Sequence, residues 1–496
     1  MSVTRVRSRA AAARVNRSRL APARRSTGTT PAKGSAAPRA ALGKALTLEK
    51  APPRQGEAIG VLSASEPRVV AGGAGDHHAI HQFLTVVFHH PSWDGFLASL
   101  DDPFYEPCDR LLVKRGEAIV AHTHLTKRVM RFAGQLLPVA GLSRLGTLPE
   151  YRGCGHAGRL LRAAQRRMAA EGAVLGLLRT REPRFFRREG WAVCGRHSQS
   201  RAPAREVLAQ ISDRTVAAQA SGAATNGSGT SVAGGLCIRP WRQVELPALL
   251  RLYAQGIAAR DGGLERSEAY WRWLLSGKTI GQIFVASIGP ERQELDDCCA
   301  SIVGYCITTD DEVLEIAADA AHPAAATQLL ARACGEAIER DLNDITLHAP
   351  PDHPLHALFV SARGTQHHHE ALQGEVFMVK LLDPLGFLRA QCGELHSRAD
   401  AAGLPRPCEL GLAIDGEKLR LVVSRRSVKL LRGGLGRSHL RCNIAEFTRL
   451  VMGHLDVEEA HRSGRLEAST RLAVQTAQAL FPRRPCWRSP LDERAV

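Results

Sequence analysis

At 496 residues the chain is too long for one ordinary core, so roughly two to four domains are expected. Its hydrophobic content of 44% is that of a globular protein, and no apolar run approaches the ~18 residues a membrane-spanning helix needs. The formal charge of +17 is concentrated: residues 1–57 hold 13 Lys/Arg against Glu49 and Glu57, and the other 439 residues carry only +6. The basic balance therefore gives no reason to expect a nucleic-acid-binding face or a specific nucleic-acid partner.

Residues 1–66 are rich in Ala, Arg, Ser, Thr and Pro, lack apolar periodicity, and read as a disordered basic tail. The apolar core of a secretory signal is missing there. The composition also suits an organellar transit peptide, against which a plain basic extension is the simpler reading. Order begins near Pro67, where RVVAGGAGDHHAIHQFLTVVF offers a strand followed by a helix. The stretch 110–148 then alternates strands with turn signals, an antiparallel run leading to LGTLP.

The most informative stretch is Leu145 to Trp191. A strand ends at Pro149, and a turn carrying Arg152, Gly153, Gly155 and Gly158 opens directly into a helix. Ala157, Leu160, Leu161, Ala164 and Met168 share one face of a 3.6-residue period, with Arg159, Arg162, Arg166 and Arg167 opposite. Gly172 stops the helix, and AVLGLL (173–178) reads as a short buried strand. A glycine-rich turn at a helix N-terminus gathers unpaired N–H groups at the positive end of the helix dipole, which suits phosphate or diphosphate. Arg152 adds a fixed cation.

Gly153, Gly155 and Gly158 also spell the G-x-G-x-x-G of dinucleotide sites. That fingerprint wants the strand to run straight into the first glycine and an acid about 20 residues on. Here Pro-Glu-Tyr-Arg intervenes, and the next strand ends in Arg179, Thr180 and Arg181. LGTLPEYRGCGHAG instead resembles the coenzyme A loop of the GCN5-related N-acetyltransferases, Arg/Gln-x-x-Gly-x-Gly/Ala, at Arg152, Gly155 and Ala157. FFRREGW (185–191) is similar to that family's second signature.

Further along, the polar Gly/Ser-rich run 217–235 marks a linker, taken as 203–236. CIRPWRQVELPALLRLYAQ (237–255) repeats the strand-then-helix opening, and RSEAYWRWLL (266–275) is helical. IFVASI, IVGYCITT and VLEIAADA form a strand series, and 324–342 is an amphipathic helix. The equivalent turn, DAAHPAAATQLL, has neither Arg nor Gly, so this second copy lacks an anion site. Finally, 408–424 is a hairpin turning at Asp415-Gly416, SVKLLRG and SHLRCN add short strands, and two amphipathic helices follow. That order is an antiparallel sheet with helices grouped after it.

This order resembles the enhanced-intracellular-survival-like branch of the acetyltransferases over roughly residues 67–496. The expected fold class is α/β (α+β): two acetyltransferase-type mixed-sheet domains (67–202 with the acetyl-coenzyme A site; 237–383 without it) and a small sterol-carrier-like domain, 384–496. The twelve scattered cysteines, without a C-x-x-C, read as free thiols of a reducing, cytoplasmic compartment. His77-His78, His89-His90 and His367-His368-His369 lack metal spacing and read as exposed loops, so no metal is expected.

The resemblance implies an N-acetyltransferase that takes acetyl-coenzyme A and an amine acceptor: a lysine, a polyamine or an aminoglycoside-like base. The alternative is a non-catalytic acyl-coenzyme-A-binding or scaffold protein. Leu145, Gly146 and Thr147 would pair with the pantetheine arm, and Gly153, Cys154, Gly155, His156, Ala157 and Gly158 would face the diphosphate. By resemblance, Arg181 and Glu182 touch the cofactor, with a plain surface acid the alternative for Glu182, and the carboxylate of Val496 serves as base. Phe186 stands where the related enzymes have a proton-donating tyrosine, and phenylalanine has no proton to give. Related enzymes assemble as homo-oligomers, so one is expected here.

Overall fold

The computed structural model describes residues 68–195, 197–220, 235–277, 280–289, 301–372, 374–484 and 486–494. The predicted basic tail, the Gly/Ser-rich run 221–234, the Cys298-Cys299 pair and Val496 lie outside them.

The first sheet starts with β1 (Arg68–Ala71), β2 (Arg110–Arg115), β3 (Ala118–Phe132), β4 (Gln135–Thr147) and β5 (Leu175–Thr180). Strands β1 to β4 pair antiparallel in sequence order. The long β3–β4 hairpin reverses at Ala133-Gly134, where φ is +48° and +74°, the two-residue turn that matches strand twist. β4 and β5 are parallel because helix His156–Ala170 returns the chain over the sheet. That helix buries Leu160, Leu161, Ala164 and Met168 against the sheet, the face its apolar spacing predicts.

After β6 (Ala192–Val193) the chain leaves this sheet. The second sheet is built from β7 (His197–Pro203), β8 (Leu236–Pro240), β9 (Gln282–Ile288), β10 (Ile302–Thr309), β11 (Glu312–Ala318), β12 (Asp344–His348) and β13 (Thr365–His369). β14 (Ala371–Leu372) and β15 (Glu375–Leu381) then return to the first sheet.

The strand orders are β1-β2-β3-β4-β5-β15-β14 and β8-β9-β10-β11-β12-β7-β13. Each sheet has one parallel pair, β4/β5 and β11/β12, bridged by a helix in the same place. The two sheets are copies of one design that have exchanged their sixth strands. β7 follows the first copy in sequence but pairs β12, while β15 follows the second copy and pairs β5. A division of the chain into contiguous segments at 202, 237 and 383 therefore does not describe the sheets.

Three further readings are corrected. Ala204–Ala220, taken as part of the linker, is a helix that buries Ala204, Val207 and Ile211 in the core shared with helix Ala324–Glu339. Its alanines serve a helix as readily as a linker. His367-His368-His369 lie in strand β13, paired with β7, and His77-His78 open helix His77–Phe88, so neither cluster is in a loop. In the third sheet, of β16 (Cys408–Ile414), β17 (Glu417–Val423), β18 (Val428–Arg432), β19 (His439–Cys442) and β20 (Glu467–Ala468), β19 runs parallel to β16. Helices Pro384–Ala390 and Cys392–Ala401 precede that sheet, so its helices are not all grouped after it. The apolar face of this sheet joins Val139, Leu177, Val379 and Leu381 of the first sheet in one core.

Candidate active site

The site begins where β4 ends. After a short turn over Pro149–Tyr151, Gly153 and Gly155 take φ of +81° and +78°, left-handed backbone that glycine enters without a Cβ clash. Gly155 is the cap residue of helix His156–Ala170, whose first intrahelical bond is Arg159 N–H to Gly155 O at 3.1 Å. Among the described residues, none of the N–H groups from Gly153 to Gly158 has an acceptor. Open space lies where a Cβ of Gly153 or Gly155 would stand. Arg152 is exposed beside this row, its Nε 3.5 Å from Thr147 O. Unpaired amides at a helix N-terminus with a guanidinium alongside bind an anion.

Upstream, β4 and β5 pair only over Val139–Leu175, Ala140–Gly176 and Gly141–Leu177. Beyond Gly141 both strands continue without pairing each other, to Thr147 and Thr180. The splay leaves the β5-side edge of β4 from Leu142 to Thr147 open along its backbone. Leu145, Gly146 and Thr147 lie on that edge. At Gly146 an added Cβ would come within 2.8 Å of Val87 and Phe88, so only glycine lets helix His77–Phe88 pack this close.

The splayed strands open a cleft of about 280 Å³. Its walls include Gly141, Ser143 and Arg144 of β4, Leu177 and Arg179 of β5, Thr126 and Arg128 of β3, Phe88 at the end of helix His77–Phe88 and His90 just after it. Leu264, Glu375, Arg488 and Asp492 complete it. Phe186, Arg181 and Glu182 are not among these walls. Arg181 is exposed and paired with Glu375 at 3.3 Å, and the Glu182 N–H donates to Thr180 Oγ1 at 2.9 Å. Phe186 is buried, its ring edge-on to Phe185 at 5.0 Å and to Trp191 at 6.2 Å.

Behind β4, a buried chain of polar groups fixes the cleft wall. His122 Nδ1 lies 3.1 Å from Arg144 O, and a carbonyl can only accept, so Nδ1 carries the proton. His122 Nε2 is then the acceptor facing Arg110 Nη1 at 3.4 Å, and Arg110 Nε donates to Tyr105 Oη at 3.1 Å. Burial, with the Arg110 guanidinium second, pushes His122 down to about 3, so its imidazole is neutral. The carbonyl it holds belongs to a residue in left-handed backbone, Arg144, at φ +53°.

The C-terminal segment crosses between the sheets. Trp487 N–H donates to Asp261 O at 3.0 Å, Leu491 enters the core of the second sheet, and Asp492 is held by Arg266. Trp487 and Ser489 also line a small cavity of about 50 Å³ beside Ile316, Ala317, His348 and Ala349. These are the ends of β11 and β12, which pair only over Glu312–Thr346 and Val313–Leu347 before diverging. The second sheet's equivalent splay thus has the C-terminal segment at its mouth. Glu106, Cys108 and Asp109 form a cation-sized grouping elsewhere, but Lys127 and Arg167 already neutralise it.

Sequence reasoning found the anion turn but missed Arg128, Arg144, Arg488 and Asp492. A charged residue inside the otherwise apolar strand VAGLSRLG was the available signal for Arg144.

This arrangement, a glycine turn after a splayed parallel strand pair, defines an acyltransferase-type site. Residues 68–194 match the acetyltransferase (GNAT) domain and residues 412–489 the sterol carrier protein domain. The chain thus carries a GNAT-type acetyltransferase domain, tandem sheets of one design and a sterol-carrier-type domain. No curated protein matches the sequence. The fold is similar to a GCN5-related N-acetyltransferase from Anabaena variabilis ATCC 29413, at TM-score 0.64 and 16% identity over 85% of this chain and 98% of that one. A GCN5-related N-acetyltransferase from Kribbella flavida gives TM-score 0.62 and 16% identity over 85% and 98%. Eis1 from Mycobacterium abscessus gives TM-score 0.56 and 15% identity over 84% and 98%. Identities this low speak for the fold alone.

Proposed function

We propose that the protein transfers an acetyl group from acetyl-coenzyme A to a primary amine. The observation that carries this reading is the row of unpaired N–H groups from Gly153 to Gly158 at the mouth of a splayed β4–β5 pair. The diphosphate would rest on those amides with Arg152 beside it. The pantetheine arm would run along the open edge of Leu145, Gly146 and Thr147, bringing the thioester carbonyl into the cleft.

The amine nitrogen then attacks that carbonyl. A C–N bond forms, the C–S bond breaks, and sulfur leaves as a thiolate that takes up a proton, while the amine gives one up. A thioester is already activated, so positioning supplies much of the rate. For the amine's proton, the carboxylate of Val496 is the proposed acceptor. The support is that the C-terminal segment lines the cleft as far as Asp492, four residues short of it. Phe186 offers no proton to the thiolate, so protonation from water is the proposed route.

The same observation about Phe186 favours a second reading, a coenzyme A binder without turnover. Two measurements separate them. Calorimetric titration with coenzyme A tests the cradle, and no binding would remove both readings. Thiol release from acetyl-coenzyme A across a panel of lysine, polyamine and aminoglycoside acceptors tests transfer. Tight binding with no release across the panel would leave the binder.

A further inference from the structure

We propose that the acceptor carries a carboxylate as well as its amine, and that Arg144 binds that carboxylate inside the cleft. This deepens the acetyltransferase reading and rests on it for the amine half of the substrate.

Arg179 is paired with Glu375 at 3.2 Å. Arg128 is paired with Asp102, and its guanidinium lies over Tyr270 and Phe104. Arg488 stacks over Phe377, 4.6 Å from the ring centroid. The two acids are committed as well: Glu375 to Arg179 and Arg181, and Asp492 to Arg266. Arg144 differs from all of these. Among the described residues its guanidinium has no ion-pair or hydrogen-bond partner, and its Nη1 is shielded from solvent without one. A buried guanidinium donor left unpaired is costly, and an anion entering the cleft would relieve that cost.

Backbone geometry points the same way. Arginine rarely occupies φ near +53°, and a residue kept there against its preference is held by its surroundings. The holding contact is the His122 Nδ1–H donated to Arg144 O. Burial together with the nearby Arg110 lowers Arg144 to about 10, as expected for a cation lacking a counter-anion.

The cofactor's own phosphates belong elsewhere. Their cradle lies beyond Thr147, whereas Arg144 precedes Leu145 on β4. The remaining walls around Arg144 come from elements that the cradle does not use: Phe88 and His90, Leu264, and the C-terminal segment. A planar guanidinium matches a carboxylate through two parallel hydrogen bonds. Among amine acceptors this selects amino acids and peptides with a nearby free acid over polyamines and aminoglycosides.

The test uses the full-length protein and matched amine pairs, each a free amino acid and its amide, including lysine and lysinamide. Thiol release from acetyl-coenzyme A and calorimetric binding to the coenzyme-A-loaded protein are both read. The native protein should prefer the acids by roughly tenfold to a hundredfold in kcat/KM, the worth of a charge-assisted hydrogen bond. Arg144→Gln should erase that preference through the KM of the acids and keep coenzyme A affinity. Arg144→Lys should restore part of it.

Equal use of acids and amides by the native protein, or a preference that survives Arg144→Gln, would overturn the carboxylate site while transfer stood. A loss of coenzyme A affinity in Arg144→Gln without any acid preference would also overturn it, assigning the arginine to the cofactor. No release from any amine, with acid binding that still depends on Arg144, would keep the site and remove the transfer reading. Neither release nor Arg144-dependent binding would remove both.

Discussion

Arg266 grips Asp492 through two hydrogen bonds of 3.0 Å, although 226 positions separate them in the chain. The same guanidinium takes Glu315 with its remaining edge, at 3.0 and 2.7 Å, and Tyr305 donates to Glu315 at 2.8 Å. Tyr253 and Trp271 cover the guanidinium faces at 3.9 and 4.7 Å. One cation thus ties the C-terminal segment to β11 and sets the part of the cleft wall formed by Asp492.

The two ends of this pair should not be equally expendable. Arg266→Met leaves two buried carboxylates without a cation and should cost on the order of 3–5 kcal/mol. Asp492→Asn leaves Arg266 balanced by Glu315, and burial already pushes the Asp492 carboxyl above the usual range. Its cost should be nearer 1.5–3 kcal/mol, set by weakened charge-assisted hydrogen bonds. Urea unfolding of both variants checks the order. Equal costs, or a larger one for Asn, would mean that Arg266 is not the centre of the network.

A bulky side chain at Gly155 should separate binding from folding. A Cβ added at Gly155 would meet nothing within 4 Å, so the expense at the backbone is about 1 kcal/mol for left-handed conformation. The same side chain stands over the unpaired amides. Gly155→Trp should therefore lose at least about tenfold in acetyl-coenzyme A affinity by calorimetry, an estimate equal to ~1.4 kcal/mol, with a thermal midpoint only slightly lowered. Retained affinity would move the diphosphate away from this turn.

These features differ in how far the sequence announced them. The turn and its helix were legible because their signals are local: Arg152, Gly155 and Leu160 to Met168 sit within a few turns of one another. The strand exchange was not. HSQSRAP and EVFMVKL each read as a strand at most, and nothing within seven residues says which sheet a strand will join. Pairing of β15 with β5 joins Val376 to Thr180, and pairing of β7 with β12 joins Ala202 to Ile345, across nearly the whole second copy. The cleft's charge pattern was hidden for the same reason. Arg144 lies on β4 and Arg488 and Asp492 on the C-terminal segment, neighbours in the cleft though far apart in sequence, and an arginine-rich chain gives no single arginine prominence.

His122 should give the fold a specific acid sensitivity. An unfolded histidine takes up its proton near 6.5, whereas the folded one holds out to about 3. The folded value is depressed, so its full contribution is present above 6.5 and is lost as pH falls from there toward 3. Between pH 6 and 5 the loss should be about 1 kcal/mol per unit. His122→Asn keeps an N–H donor toward Arg144 O but cannot titrate. Its urea-unfolding free energy should fall less steeply over that interval, by about the same amount. His124, also buried and held well below its ordinary value, stays in both proteins, so the difference isolates His122. Parallel pH profiles would mean that His122 is already charged in the folded state.

Phe186 offers the converse test, since the resemblance implies a tyrosine there. Its ring is packed edge-on between Phe185 and Trp191 and reaches no cleft wall. A hydroxyl added by Phe186→Tyr enters that core and, without a partner, should lower stability by about 1–3 kcal/mol. If sulfur departs as a thiolate that water protonates, kcat should stay within about threefold of the native value, less than 1 kcal/mol of barrier. The basic limb of its pH profile should not move either. A rise in kcat of tenfold or more, with a new limb near the pKa of a phenol, would mean that the hydroxyl reaches the sulfur. In that case the native protein works without the acid its relatives use, and Phe186 marks a slowed enzyme.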